Sequence, residues 1–416
     1  MTPRPLSRRT LLKLGAAATL IPAGSLAAAE PLRIGFLTVK TGPLAAGGKQ
    51  QEEGVELFLK EHGAQLAGRP VEVITQDTAG NPAGAKVKTQ ELVERYKVQI
   101  MIGPLATNEA LAIDDYVREA QVPLITTTST ASLDLKQRKL NPWVLHAFGT
   151  APQVTHALGH YAAKSLGYKR IATLADDFTY GHEGAAGLQR TFEDNGGRIV
   201  QKLWPPLNVP DYGPYIAEIK QNVDALYIGF AGLNGLRFLK QFSDYGLKGK
   251  IPTLGNTTST DEGILRNMGD EALGVVTAGW YAAGIETADN RKFVEAIRAL
   301  YAHDPGFYTA GPYTALLIIA AALKATGGET GDKVGFLKAL HEARLTGGPL
   351  GKIRLDDYGT PILDIHIRRV ERREGRLVNA IIYTYPEVSQ FWTYDPKQFL
   401  AEPVYSRDYP PARYLE

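Results

Sequence analysis

The sequence predicts an α/β protein of two doubly wound parallel-sheet lobes joined by a three-strand hinge. Three observations lead there. From Pro31 the chain alternates short apolar strands with amphipathic helices. After Trp143 the alternation starts again, and the chain ends in a β-rich stretch. Strand–helix alternation at this spacing means right-handed crossovers and parallel sheets.

Leu32 to Val39 (LRIGFLTV) reads as the first strand. Gly48 to Glu61 sets Val55, Leu57, Phe58 and Leu59 among charges, as a surface helix does. The pattern continues with strand Pro70 to Gln76, helix Ala83 to Tyr96, strand Val98 to Gly103, helix Asn108 to Ala120 and strand Val122 to Thr126. Trp143 to Phe148 is extended. The second unit follows as helix Pro152 to Leu166, strand Arg170 to Ala175, helix Gly181 to Asn195 and strand Arg198 to Trp204. Helix Pro214 to Gln221, strand Ala225 to Gly229, helix Leu233 to Tyr245 and strand Ile251 to Leu254 complete it.

Gly274 to Tyr281 is another strand, and helices Asn290 to Tyr301, Gly311 to Ala325 and Asp332 to Ala343 come next. The second of these is apolar nearly all round, which places it between layers. Strands Lys352 to Leu355, Ile362 to Val370 and Leu377 to Tyr385 end the regular structure, with Gly375 in a hairpin turn. The Pro- and Tyr-rich end is expected to lie packed on the surface. Hinge crossings are expected near Phe148–Thr150, Trp280–Ala283 and Asp356–Tyr358. They divide the chain into a leader, 1–29, a first lobe of 30–148 plus 282–356, and a second of 149–281 plus 357–416.

The leader carries Arg4, Arg8 and Arg9, then an apolar run from Leu14 to Gly24, then Ala27-Ala28-Ala29. That is the layout of a secretory signal peptide. SRRTLLK resembles the twin-arginine export motif. Gly15, Pro22 and Gly24 interrupt a run too short to span a bilayer. Cleavage after Ala29 removes four of the 46 basic residues, leaving 42 against 44 acidic ones, a net charge of −2. That balance speaks against nucleic acid as a partner. The chain has no cysteine, so its stability must come from its core, and a lipid-anchored export signal is not expected. The mature protein is expected free in the periplasm.

Ligands of doubly wound sheets bind beyond the carboxyl ends of the strands, so the loops there carry the site. Lys40 to Gly48 (KTGPLAAGG) opens a helix, whose amides attract anions, although a plain strand-to-helix turn reads the same way. It matches neither a phosphate loop nor a dinucleotide loop. Gly103 to Glu109 (GPLATNE) places Thr107 before a helix, first as an N-cap and also as a carboxylate donor. Thr126 to Ser132 (TTTSTAS) holds six hydroxyls in seven residues. That is more than capping needs, and it suits an uncharged cradle for an oxyanion.

These loops resemble the leucine/isoleucine/valine-binding family of type I periplasmic solute-binding proteins of ABC transporters, including its aromatic-acid branch. TGPLAAGG, the IGPLAT turn, PLITTTSTAS, RIATLADDFTYG, DALYIGFAG and GPYTALLIIAAAL carry the likeness in order. It implies a receptor that closes on a small molecule and hands it to an inner-membrane ABC permease. It implies carboxylate binding by Thr107, Thr128 and Thr130, with Ser129, Ala106 and Gly47 alongside. Tyr180 in the FTYG turn would form an aromatic wall.

Two departures bear on the ligand. Amino-acid binders of this family hold the ammonium with an acid after the strand at Ile251–Leu254. Here GNTTST, including Thr257, precedes the first acid, Asp261. An ammonium buried without a counter-charge costs several kcal/mol. The turn after Tyr227–Gly229 is Phe230-Ala231-Gly232, where the family often has tyrosine. A hydroxyl cradle with Phe230, Tyr180 and Tyr281 as walls fits an aromatic acid, a benzoate relative. An amino acid, or a short aliphatic or keto acid, is the alternative.

No catalytic motif and no metal-spaced Cys/His set is present, so the chain reads as a monomeric binder without metal or cofactor. A ligand sensor or a hydrolase on the same fold is the rival class. His156 and His160, four apart, read as an exposed helix face. Asp176 and Asp177 read as orienting Tyr180 or capping the next helix.

Overall fold

In a computed structural model the described residues are 30–128 and 140–416. The leader, Ser129 and Thr130 lie outside them. The first sheet is ordered β2-β3-β1-β4-β5-β6. Its strands are β1 (Leu32–Thr38), β2 (Gln65–Leu66), β3 (Arg69–Asp77), β4 (Ile100–Ile102), β5 (Leu124–Thr126) and β6 (Val144–His146). All neighbours are parallel except β2, which turns back on β3. Helices α1 (Ala45–Glu61), α2 (Pro82–Gln90) and α3 (Thr107–Ala120) connect them.

The second sheet begins after helix α4 (Ala151–Lys164) with β7 (Arg170–Ala175). It adds α5 (Thr179–Asp194), β8 (Arg198–Leu203), α6 (Gly213–Glu218), β9 (Ala225–Gly229), α7 (Asn234–Asp244) and β10 (Thr253–Gly255). A short 3-10 turn, Thr257–Thr260, leads to α8 (Glu262–Leu265), then β11 (Val276–Gly279). Strands β8, β7, β9, β10 and β11 run parallel in that order. Their burial on both faces explains the unbroken apolar runs in the sequence.

Helices α9 (Ala288–Tyr301), α10 (Phe307–Ala325) and α11 (Lys333–His341) follow. The apolar face of α10 packs with α1 and β1 residues, including Phe58, Leu32 and Ile34, in the core of the first sheet. Helix α10 is long and apolar enough to cross a membrane, but 72% of that stretch is buried in the protein. Strands β12 (Arg344–Leu345), β13 (Ile353–Leu355), β14 (Pro361–Arg373) and β15 (Arg376–Val388) then extend the second sheet antiparallel, ahead of α12 (Pro396–Ala401).

Helix α10 starts four residues ahead of the expected Gly311. The reason is local. The Asp261 carboxylate accepts from the Phe307 amide at 2.7 Å, satisfying one of the four orphan donors of a helix start. No room is left for a side chain at Gly306, where a Cβ would lie 2.5 Å from that carboxylate.

The expectation for His156 is overturned. It is fully buried, because the chain end folds back over α4. Its Nε2 meets the Tyr405 hydroxyl at 2.9 Å, and Tyr394 and Phe399 close round the ring. Burial holds its pKa down at about 3. His160 meets the Tyr385 hydroxyl at 2.9 Å and is half-buried. An aromatic-rich tail had been expected on the surface; which helix it would cover was not readable.

Arg368 of β14 is a fully buried cation. It donates to the Tyr281 carbonyl at 2.6 Å, the Thr257 carbonyl at 3.0 Å and the Thr277 hydroxyl at 3.2 Å. Glu262 lies 3.9 Å away. Burial raises both Asp261 and Glu262, the latter to about 7, so the two carboxylates facing one guanidinium resist carrying two negative charges. We expect Arg368→Met to lower the unfolding free energy by about 3–5 kcal/mol at pH 8. The loss should shrink at pH 5, where the carboxylates left behind bind protons. Urea denaturation at the two pH values measures both.

Candidate ligand-binding site

The carboxyl ends of both sheets meet at a small cavity. The first sheet supplies Leu44 from the loop after β1, Leu105, Ala106 and Thr107 after β4, and Thr128 after β5. The second supplies Phe178 and Tyr180 after β7, Ala231 after β9 and Thr258 after β10. Phe307 and Tyr308, at the start of α10, complete the wall.

Thr107 is the first residue of α3 rather than its cap. Ala106 stands at the cap position, and its amide donates to the Glu109 carboxylate at 2.9 Å. This frees the Thr107 hydroxyl from capping. Among the described residues no acceptor faces the amides of Thr107 and Asn108. Two amides at the positive end of a 14-residue helix, with a hydroxyl beside them, are donors of the kind that attract an anion. Upstream, Gly103 makes the sharp turn. It has φ +95°, and a Cβ there would lie 2.0 Å from the Leu37 carbonyl.

The hydroxyl run divides its labour. Thr126 meets His146 Nδ1 at 2.6 Å, and Thr127 accepts from Gln51 at 2.7 Å, so both serve the lobe interior. Thr128 reaches the cavity and donates to the Leu105 carbonyl at 2.7 Å. On the opposite wall Thr258 donates to the Phe230 carbonyl at 2.5 Å, and the Tyr180 hydroxyl lies 3.1 Å from the same Thr258 oxygen. Burial holds the Tyr308 phenol well above its ordinary range, so it stays neutral.

Of the residues singled out by sequence, Ala106, Thr107, Thr128 and Tyr180 line the cavity. Four do not. Phe230 turns into the core, 5.3 Å from the Tyr212 ring and 5.0 Å from Phe238. Thr257 donates to the Ala278 carbonyl at 2.8 Å, and the neighbouring Thr258 takes the cavity position. Tyr281 is buried in the hinge, donating to Asn290 at 3.0 Å. Gly47 makes room: a Cβ there would lie 3.1 Å from the Tyr308 ring. The sequence reading missed Phe178, Phe307 and Tyr308. Phe178 sits in the same FTYG loop as Tyr180 and was within reach of that argument; Phe307 and Tyr308 precede the expected helix start and gave no signal.

Asp176 does not orient Tyr180. Its carboxylate accepts from the Ala231 amide at 2.9 Å and Asn234 at 2.7 Å, and burial pushes it up to about 8. Asp177 pairs with His182 and Arg407. Asp261 is committed to the Gly263 and Phe307 amides. No acidic or basic residue lines the cavity among the described residues.

A model of the periplasmic binding protein family matches residues 31–375. The chain belongs to that family. It is 28% identical over 383 residues to Leu/Ile/Val-binding protein homolog 6 of Brucella melitensis, covering 90% of this chain and 96% of that one. It is similar to an ABC transporter substrate-binding protein from Sphaerobacter thermophilus, at 33% identity and TM-score 0.81, covering 86% and 99%. It is also similar to a solute-binding protein of an ABC transporter from Rhodopseudomonas palustris BisB5, solved in complex with 3,4-dihydroxybenzoic acid. There the identity is 33% and the TM-score 0.82, covering 89% and 99%. The two-lobed fold is the type I form of these periplasmic binding proteins.

The cleft is closed in this structure. Gly232, with φ +57°, sits against the opposite lip, where a Cβ would lie 2.7 Å from the Pro43 carbonyl. Gly249, with φ +79°, has open space around it. We expect Gly232→Ala to disfavour closure by about 1 kcal/mol more than Gly249→Ala, since both carry the left-handed strain and only the first adds a clash. A larger radius of gyration in small-angle scattering for the first variant alone would show it. Equal scattering from the two would mean that the lip contact is immaterial.

Proposed function

We propose that this chain is the periplasmic substrate-binding component of an ABC uptake transporter and closes on an aromatic carboxylate of benzoate type. The observation that carries the ligand is the cavity itself. One end offers the amide and hydroxyl of Thr107; the rest is Phe178, Tyr180, Phe307 and Tyr308 with apolar neighbours. Rings stack or meet edge to face in such a wall. The likeness to a protein solved with 3,4-dihydroxybenzoic acid supports the same class.

In this reading the lobes are residues 30–148 plus 282–356 and 149–281 plus 357–416. All six strands of the first sheet fall in the first set. The protein is exported by a twin-arginine signal cut after about Ala29, works as a free monomer, performs no catalysis, and delivers its ligand to an inner-membrane permease. The relatives named for Leu/Ile/Val binding favour a second reading, a branched-chain amino acid. Against it stands the want of an acid to meet an ammonium among the described lining residues.

Calorimetry with benzoate, 3,4-dihydroxybenzoate and leucine decides between them. We expect dissociation constants on the order of micromolar for an aromatic acid and no heat with leucine; the reverse result rejects the aromatic reading. Thr107→Val removes one hydrogen bond to a charged group, worth about 1.5–3 kcal/mol, and should weaken binding roughly 10- to 100-fold.

Glu109, one turn into α3, adds a pH dependence. Burial pushes it up to about 7, opposed by its bond from the Ala106 amide. An anion at the helix start repels the ionised form and favours the neutral one. Benzoate affinity should therefore rise several-fold from pH 8 to pH 6, where the ligand stays ionised. Titrations of Glu109→Gln, which keeps the acceptor, should show a smaller rise over that range, the remainder coming from Asp176.

A further inference from the structure

Residues 389–416 continue past β15 and cross the second lobe. Phe399 and Tyr405 bury themselves there. Arg190 of α5 pairs with Glu402 and lies 4.4 Å over the Tyr394 ring. At the far end the Glu416 carboxylate holds Arg170 through two bonds of 2.7 Å. Between these anchors the tail makes a tight turn, closed by the Ser406 amide on the Tyr409 carbonyl at 2.9 Å. Arg407 projects from that turn.

Arg407 Nη1 lies 3.1 Å from Asp177 Oδ2. The other oxygen of Asp177 meets His182 Nε2 at 2.8 Å, and the Asp177 amide donates to the Pro205 carbonyl at 2.9 Å. His182 in turn presses edge-on against Trp204, 4.9 Å between centroids. Asp177 is therefore the fixed point of the loop after β7, and the next three residues carry Phe178 and Tyr180 into the cavity. An exposed ion pair between two free side chains counts for little. Here the arginine is held by a tail pinned on both sides, so less ordering remains to be paid when it pairs.

We propose that Arg407 is a positioning residue for ligand recognition: the C-terminal tail fixes the loop that bears Phe178 and Tyr180, and thereby the ring-facing wall of the site. The effect on ring preference rests on the aromatic-acid reading above; the effect on the loop does not.

The test uses the full mature chain with Arg407→Ala, Arg407→Lys and Asp177→Asn. Amide hydrogen exchange is measured first, without ligand. Arg407→Ala should speed exchange over residues 177–182 while the tail around Tyr405 and α4 keeps its protection, and Arg407→Lys should restore the slow rate. Calorimetry then compares benzoate with cyclohexanecarboxylate, which share the carboxylate but not the flat ring. The ratio of their affinities should fall roughly three- to fivefold in Arg407→Ala, the range of an exposed ion pair. It should recover in Arg407→Lys, and Asp177→Asn should add nothing to the loss. Unchanged exchange over 177–182 overturns the proposal. So does a general rise across the second lobe with a lower melting temperature, since that marks a structural role only. If wild-type protein binds no aromatic acid, the ligand reading falls, and the exchange result still decides the role of Arg407.

Discussion

A guanidinium with no access to water organises this molecule. Arg368 belongs to β14, yet its partners come from the end of β11, the segment after it and the turn after β10. A buried cation without such acceptors would cost far more than its hydrogen bonds return. Its five donors instead hold the Tyr281 and Thr257 carbonyls in place. The Tyr281 carbonyl belongs to a chain crossing between the lobes, and the Thr257 carbonyl to the turn that presents Thr258. The hinge and one wall of the cavity are thus tied to the same charge. Asp261 and Glu262 supply the opposing charge, and Asp261 also caps α10, which brings Phe307 and Tyr308 to the site.

Close approach of α10 to the first lobe completes the geometry. Cβ atoms at Gly54 and Gly311 would lie 2.1 and 1.9 Å from the Thr309 and Thr127 carbonyls. The helix can sit that near only because nothing projects there. With the helix start fixed, the aromatic wall is rigid, and a rigid apolar wall loses little entropy when a ring is bound against it.

The strands were legible because buried parallel strands are apolar throughout, and the loop positions followed from the strand ends. Thr107 and Thr128 lie where that rule puts them, and Tyr180 where the family resemblance puts it. Where the rule failed, the cause was local. Thr257 and Thr258 are adjacent hydroxyls in a 3-10 turn, and only the hydrogen-bond pattern decides which one faces the cavity. Phe230 ends a strand as a wall residue would, but Tyr212 and Phe238 give it a deeper apolar place. Phe307 and Tyr308 were invisible because their helix begins by accepting help from Asp261, 46 residues earlier. His156 was misjudged for a similar reason: its cover arrives from Tyr405, 249 residues later. Local pattern carries periodicity, whereas long-range caps and covers leave no trace in it.

The electrostatics of the site turn on the same distinction between near and committed groups. Glu109 and Asp176 stand close behind the cavity walls, and two carboxylates there would ordinarily repel an anionic ligand and attract an ammonium. Both are pushed upward by burial, to about 7 and about 8, so each is partly neutral near physiological pH. Asp176 has both oxygens occupied, by Ala231 and Asn234, and Glu109 spends one on Ala106. An ammonium needs direct oxygen contacts to repay its desolvation, and both Asp176 oxygens are taken by the Ala231 amide and the Asn234 side chain instead. A carboxylate needs only donors, which the start of α3 supplies without a counter-charge. Burial has therefore weakened the acids that would oppose an anion. In the aromatic-acid reading proposed above, this favours an acid without an amine.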